Sequence, residues 1–225
     1  MKHYPLRLRG IFAAIVFASF GHAAFSADLA PPASSSSVTA QSAWQIRLRA
    51  LGVITRDNGS VDGISGSGLS YSDTVVPEVD ISYFITDNIS AELILGTTYA
   101  NVQGEGSIAG LGEIGKAWLL PPTLTLQYHF TDFGAFQPYL GAGVNYTVFY
   151  NQSGKSADRL DVKNTFGVAL QAGFDYMFDE HWGANLDVKK IFLRPDFDAT
   201  VGGADVSGKA KLDPWLIGAG VTYRF

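Results

Sequence analysis

From Trp44 onward, apolar side chains alternate with polar or small ones in run after run. Successive side chains of a strand point to opposite faces, so each run presents one oily face and one polar face. Trp44, Ile46, Leu48 and Ala50 lie opposite Gln45, Arg47 and Arg49, and Val79, Ile81 and Tyr83 lie opposite Glu78, Asp80 and Ser82. Ile89, Ala91, Leu93 and Leu95 oppose Ser90 and Glu92, while Leu124, Leu126, Tyr128 and Phe130 oppose Thr125, Gln127 and His129. Leu140 to Val148 and Phe166 to Phe178 repeat the pattern, Ala184 to Val188 gives a seventh run, and Trp215 to Phe225 an eighth.

Alternation alone also suits a soluble β-sandwich. The connections argue for a membrane barrel. Residues 57–74, 102–120, 151–164 and 202–208 read as long connections, whereas 86–88, 131–137 and 179–182 read as short ones. An even strand number, crossings of about 9–11 residues and short periplasmic turns facing long external loops belong to bacterial outer-membrane barrels. The predicted fold is all-β: an eight-stranded antiparallel transmembrane β-barrel over residues 42–225, with periplasmic termini and four longer extracellular loops. The apolar last strand, ending in Tyr223 and Phe225, resembles the insertion signal that the barrel-assembly machinery recognises in such proteins.

With the oily faces toward lipid, the other faces line a lumen that an eight-stranded barrel leaves just wide enough for side chains to fill. Its lower part collects Arg47, Arg49, Lys189 and Arg224 against Glu78, Asp80, Glu92, Asp175 and Asp187, with Gln127 and His129 between them. Charges confined there should pair, because an unpaired buried charge costs several kcal/mol. A polar plug is predicted, and not a pore. Higher up, the inward positions turn apolar: Leu51, Val53, Ile94, Phe149, Ile191, Leu193 and Leu216. These residues suit either a greasy vestibule for an apolar solute or a small core tying loops to barrel. Trp118-Leu119-Leu120, just before Pro121-Pro122, would cover the vestibule as gate or as packing.

Upstream, Lys2, Arg7 and Arg9 precede an apolar run from Ile11 to Phe20 and small residues near Ala24 to Ala27. That is the layout of a cleaved secretory signal, over about residues 1–26, with an apolar run too short to span a membrane. Residues 27–41, with Pro31-Pro32 and a serine run, read as a flexible periplasmic lead-in.

Of 16 Lys and Arg against 21 Asp and Glu, removal of that signal leaves 13 cations and the same 21 anions. A net acidic chain without a basic stripe argues against nucleic-acid binding. There is no cysteine, which excludes thiol chemistry and Cys-based metal sites. After the signal only His129 and His181 remain, with no nucleophile–base pair and no ligand spacing for a metal. The chain is predicted to be no enzyme and to need no cofactor or metal. Asp57, Asp62, Asp73, Glu105, Glu113, Asp158, Asp161 and Asp205 make the rim acidic, as a solvated face or as a surface for phage or toxin.

Lys116-Ala117-Trp118-Leu119-Leu120-Pro121-Pro122-Thr123-Leu124 and Tyr139-Leu140-Gly141-Ala142-Gly143-Val144-Asn145-Tyr146 resemble the core of the outer-membrane protein W (OmpW) family, and so do the first and last strands. The resemblance covers almost everything after the lead-in. It implies an eight-stranded barrel with a narrow hydrophobic channel closed toward the periplasm, associated with passive uptake of small hydrophobic molecules and their sideways release into membrane lipid. The identity of the solute does not transfer. Gly96, Gly141, Gly143 and Gly167 mark places where the wall could bend or pair loosely.

Overall fold

The computed structural model describes residues 42–55 and 59–225. The predicted signal and lead-in lie outside the described residues, as does Asp57. The chain runs through β1 (Trp44–Ile54), β2 (Gly59–Val61), β3 (Ser67–Tyr71), β4 (Thr74–Phe84), β5 (Ile89–Gly96) and β6 (Thr98–Gly106). A 3-10 turn at Ala109–Leu111 leads to β7 (Glu113–Leu120), β8 (Thr123–His129), β9 (Phe136–Gly154), β10 (Arg159–Val162) and β11 (Thr165–Met177). The last four strands are β12 (Trp182–Phe192), β13 (Asp196–Val201), β14 (Ala204–Ala210) and β15 (Trp215–Arg224).

Eight of these strands, all antiparallel to their neighbours, pair in the order β11-β12-β15-β1-β4-β5-β8-β9, and β9 returns to β11 to close the barrel. No helix among the described residues is long and apolar enough to cross a membrane; the crossing is made by strands. Closure leaves no sheet edge in lipid, where an unpaired backbone group would cost several kcal/mol. The first and last strands meet from Gln45↔Arg224 to Ile54↔Trp215, so the C-terminal apolar strand is the seam partner of β1. Leu48, Val144, Phe166 and Leu170 are exposed on the outer wall, while Gln45, Arg47, Asp80, Glu92 and His129 are fully buried inside. The expected sidedness holds on every barrel strand.

The long connections differ from the prediction. Within 57–74, 102–120 and 151–164, residues 59–61, 67–71, 102–106, 113–120, 151–154 and 159–162 are strand. The stretch beyond Phe192 folds as the β13–β14 hairpin, turning at Gly202 and Gly203 in the left-handed region. β9-β7-β6-β3 continues the barrel wall upward, and β10-β13-β14-β2 forms a separate four-stranded sheet. Period-2 alternation is present there, as in Leu69/Tyr71, Leu160/Val162 and Phe197/Ala199, which are buried while the residues between them are partly or fully exposed. Each run is too short to stand out from turn residues in the sequence. Their buried faces form one cluster with Leu51, Leu193 and Leu216.

Gly141, Gly143 and Gly167 sit in continuous ladders, opposite Gln171, Ala169 and Asn145 respectively, so they do not mark loose pairing. Gly96 does stand where a ladder ends, opposite Glu78.

Candidate functional site

The lower lumen is filled by one connected set of charges and hydrogen bonds. Arg47 grips Asp175 with two nitrogens, at 3.1 and 2.6 Å, and donates to Glu92 at 2.6 Å and to Ser82 at 3.2 Å. Paired donors in the plane of a guanidinium match a carboxylate closely. Arg49 forms ion pairs with Glu78 at 3.0 Å and Asp80 at 2.6 Å, and Lys189 lies 2.9 Å from Glu78 and 3.0 Å from Asp187. Gln127 and Gln171 donate to Glu92 at 2.6 and 3.0 Å, tying the far wall to the same carboxylate. The alternation of β1, β4, β5, β8, β11 and β12 aims all of these side chains at the axis.

Two members sit differently from expectation. Arg224 makes no ion pair among the described residues; it donates twice to Gln45 Oε1, at 2.9 and 2.7 Å, and its guanidinium lies 4.4 Å from the Phe84 ring centre. It closes the floor below the network without a carboxylate of its own. His129 contacts Ser90 and Gln127 at 3.1 Å and packs on Tyr139; the Ser90–His129 pair is fully buried in the polar network and lines neither cavity above it. His181 lies in a periplasmic turn, its Nδ1 against the Arg224 carbonyl at 2.7 Å. No group of His, Cys, Asp or Glu among the described residues could hold a metal ion.

Tyr139 was missed by the sequence reading. It is 1% exposed, donates to Asp187 at 2.8 Å and receives a hydrogen bond from Asn185 at 3.1 Å. Its ring occupies space that Gly173 leaves open: a Cβ at 173 would lie 2.6 Å from the Tyr139 hydroxyl. The inward parity of Tyr139 was legible from Gly141 on the same strand, but the space at Gly173 depends on which strands are neighbours.

Above the plug the lumen is apolar and holds two cavities. The lower, of about 70 Å³, is lined by Leu51, Val53, Ile94, Ile191, Leu193 and Leu216, with Glu78 and Lys189 of the plug at its base. The upper, of about 100 Å³, is walled by the loop strands, including Leu69, Ile114, Leu160 and Phe197, and has no polar lining. Ala100, Leu119 and Leu212 border both and form the septum between them. Phe149 belongs to the upper cavity. Trp118 and Leu120 do not line either one: they occupy the opposite face of β7 from Leu119, and Trp118 packs against Tyr99 and Tyr150 outside. The triplet is a piece of wall, so only its middle residue faces the lumen.

The wall itself is interrupted beside the lower cavity. The β4–β5 ladder stops at Glu78↔Gly96 and the β3–β6 ladder begins at Tyr71↔Val102. Between them Pro77 has no N–H to donate, and the crossing keeps one backbone bond, from the Ser72 N–H to the Asn101 carbonyl at 3.2 Å, beside side-chain contacts such as the Thr74 and Thr98 hydroxyls 2.7 Å apart. Val76, Gly96, Thr97, Thr98 and Tyr99 at this slot also line the lower cavity.

At the rim, Glu113 pairs with Lys155 at 2.5 Å, and the Lys163 ammonium 2.7 Å away holds the Asp161 carboxyl below the usual carboxylate range. Asp73, Glu105, Asp158 and Asp205 accept hydrogen bonds from Thr55, Ser70, Gly203 and Thr200. These acids brace the loop sheets internally.

The family model for the OmpW family matches residues 33–225. An uncharacterized outer-membrane protein, y4mB, of Sinorhizobium fredii is 62% identical over 220 residues, covering 95% of each chain. A Pseudomonas aeruginosa relative named dibenzothiophene metabolism operon protein PahQ is 28% identical over 72% of this chain and 77% of its own. The crystal structure of the outer-membrane protein OprG from Pseudomonas aeruginosa superposes with a TM-score of 0.75 at 25% identity, covering 82% of this chain and 97% of that one. The chain thus belongs to the OmpW family, and its closed eight-stranded antiparallel barrel is an outer-membrane β-barrel.

Proposed function

We propose that the protein is a passive conduit for small apolar molecules, which descend from the loops into the lower cavity and leave sideways through the slot between β4 and β5–β6. The observation that carries this reading is the contrast in one lumen: two apolar cavities in line, ending on a plug of buried, paired charges. An apolar solute sheds water against Leu51, Ile94 and Leu193 and gains roughly 25 cal/mol per Å² of apolar surface removed from water. Passing the plug would break pairs whose separation costs several kcal/mol each, so the periplasm is not the favoured exit. The slot is a weaker barrier, since the regular backbone ladder lapses there. The name carried by PahQ, which refers to the metabolism of an apolar aromatic compound, fits a hydrophobic cargo.

The test is uptake into liposomes by the reconstituted barrel, comparing a small apolar solute with a sugar of similar size. Apolar solute should pass faster, and Leu51→Asp should abolish the difference. Rates equal to protein-free liposomes would make the same residues a loop-anchoring core and move the assignment to surface recognition. Because the chain has no cysteine, a Thr74→Cys/Thr98→Cys pair tests the exit separately. Oxidation should suppress apolar uptake and reduction restore it; full uptake by the cross-linked form would remove the lateral route and leave the vestibule intact.

A further inference from the structure

The lipid-facing positions of the eight barrel strands are apolar or small, with one charged exception, Lys190 on β12. In register it lies between Leu170 on β11 and Trp215 on β15, both exposed on the outer wall. Trp215 pairs with Ile54 at the top of β1, opposite in height to Trp44 at its base. A strand of that length, tilted as barrel strands are, climbs about 25 Å, the height of the apolar band. Lys190 therefore sits at the level of the outer-leaflet headgroups.

It has company there. The Lys190 ammonium bonds to the Asp213 carbonyl and lies 5.1 Å from the Trp215 ring centre and 5.9 Å from that of Phe192. Arg194 and Lys211 line the same outer groove, of about 640 Å³, whose wall is Leu170, Val188, Phe192 and Trp215. The one carboxylate in it, Asp213, is 5% exposed and already engaged: Oδ1 accepts the Leu193 N–H at 2.9 Å, and Oδ2 accepts Arg194 at 3.1 and 3.3 Å. The Arg194 side chain remains 58% exposed. Three cations thus face one carboxylate, on a chain with a formal net charge of −5. A lone lysine at this height would only reach for water; here a second segment, after β14, brings Lys211 and Asp213 to the same groove as Lys190 and Arg194.

We propose that this groove seats a phosphorylated lipid of the outer leaflet, with its phosphate among Lys190, Arg194 and Lys211 and its acyl chains along Leu170, Val188 and Trp215. Charge complementarity selects a phosphate-bearing headgroup, because ammonium and guanidinium donors to phosphate give short, strong hydrogen bonds. The apolar wall directly below, continuous with the hydrocarbon, selects an anion that carries acyl chains over a soluble one. The site lies across β12 and β15, away from the slot at β4 and β5, and does not depend on the uptake reading.

The test is lipid retention by the folded, detergent-purified barrel, read by native mass spectrometry with diphosphorylated lipid A, the same lipid stripped of its phosphates, and inorganic phosphate as competitor. The wild-type chain should retain the phosphorylated lipid at least about ten-fold over the stripped one. Arg194→Gln/Lys211→Gln should remove that preference, whereas Lys155→Gln/Lys163→Gln, at the loop rim, should keep it. Heat-modifiable migration on a gel establishes that each variant is folded. If the double variant does not fold, Lys190→Gln alone carries the test and should cut retention in the same direction. Equal retention of stripped lipid would reduce the groove to a greasy surface, and unchanged preference in the folded charge variants would overturn the site. Displacement by millimolar inorganic phosphate would overturn the lipid as its occupant.

Discussion

The lower and upper halves of the lumen are built by the same alternating strands and differ in what the inward positions carry. Along β1, Arg47 and Arg49 are followed by Leu51 and Val53; along β12, Asp187 and Lys189 are followed by Ile191 and, just past its end, Leu193. Below this switch, carboxylates, guanidinium groups and amides fill the barrel to its axis. Above it, branched apolar groups dominate the inward positions and leave cavities of about 70 and 100 Å³, the upper one without polar lining. Polar side chains close space by reaching for partners, and short aliphatic ones around a wide ring do not reach across. A two-residue change of character on strands such as β1 and β12 therefore separates a seal from a receptacle.

The sharpest way to break that contrast is to unbalance the seal. Arg47→Met strands Glu92 and Asp175, and should cost roughly 3–5 kcal/mol in urea unfolding from detergent micelles. Replacing Arg47, Glu92 and Asp175 together by apolar residues of similar volume should cost far less, since no buried charge is left unpaired. Equal losses in the two variants would mean that the plug acts through packing and not through pairing.

In the receptacle, Leu119→Ala removes the septum residue that borders both cavities and should cost about 2–5 kcal/mol, as buried Leu truncations do. It should also speed apolar uptake in liposomes if the septum limits passage. Slower uptake would assign Leu119 to holding the wall in place.

A smaller effect separates the packing around Tyr139 from that of the outer wall. A Cβ at Gly173 would lie 2.6 Å from the Leu186 carbonyl and from the Tyr139 hydroxyl, whereas at Gly52 the nearest atom is 3.6 Å away. Gly173→Ala should lose about 1–3 kcal/mol in the same unfolding assay, and Gly52→Ala should be close to neutral. Similar midpoints for the two would show that the lumen relaxes around Tyr139.

The smallest effect belongs to the periplasmic turn. Asp179 accepts the backbone N–H groups of Trp182 and His181 at 2.7 and 2.8 Å, which hold its carboxyl below the usual carboxylate range. A carboxyl lowered on folding stabilises the protein above its unfolded pKa of about 4, and that contribution is lost as pH falls through the folded value. Asp179→Asn should therefore show less loss of stability than wild type on acidification below about pH 4. An identical pH profile would show that the turn contributes nothing to the unfolding equilibrium.

Much of this was legible in the chain. Alternation is a local property, so the eight crossings, their sidedness and the charged and apolar levels of the lumen could be assigned from single strands, down to Arg47 inward and Leu48 outward. Trp118 and Leu120 were misplaced because residues 102–120 looked like a loop, and a loop has no parity; once β7 is a strand, Leu119 alone points in. The short loop strands escaped because each has too few alternating positions to be told from turn residues. What only the tertiary structure decided are relations between strands distant in sequence. These are which carboxylate Arg47 takes, where Gly173 makes room for Tyr139, the slot where the ladder lapses beside Pro77, and the meeting of Lys190 with Lys211. Each depends on register and closure, and a strand's own sequence states which face a side chain takes but not which neighbour it will meet there.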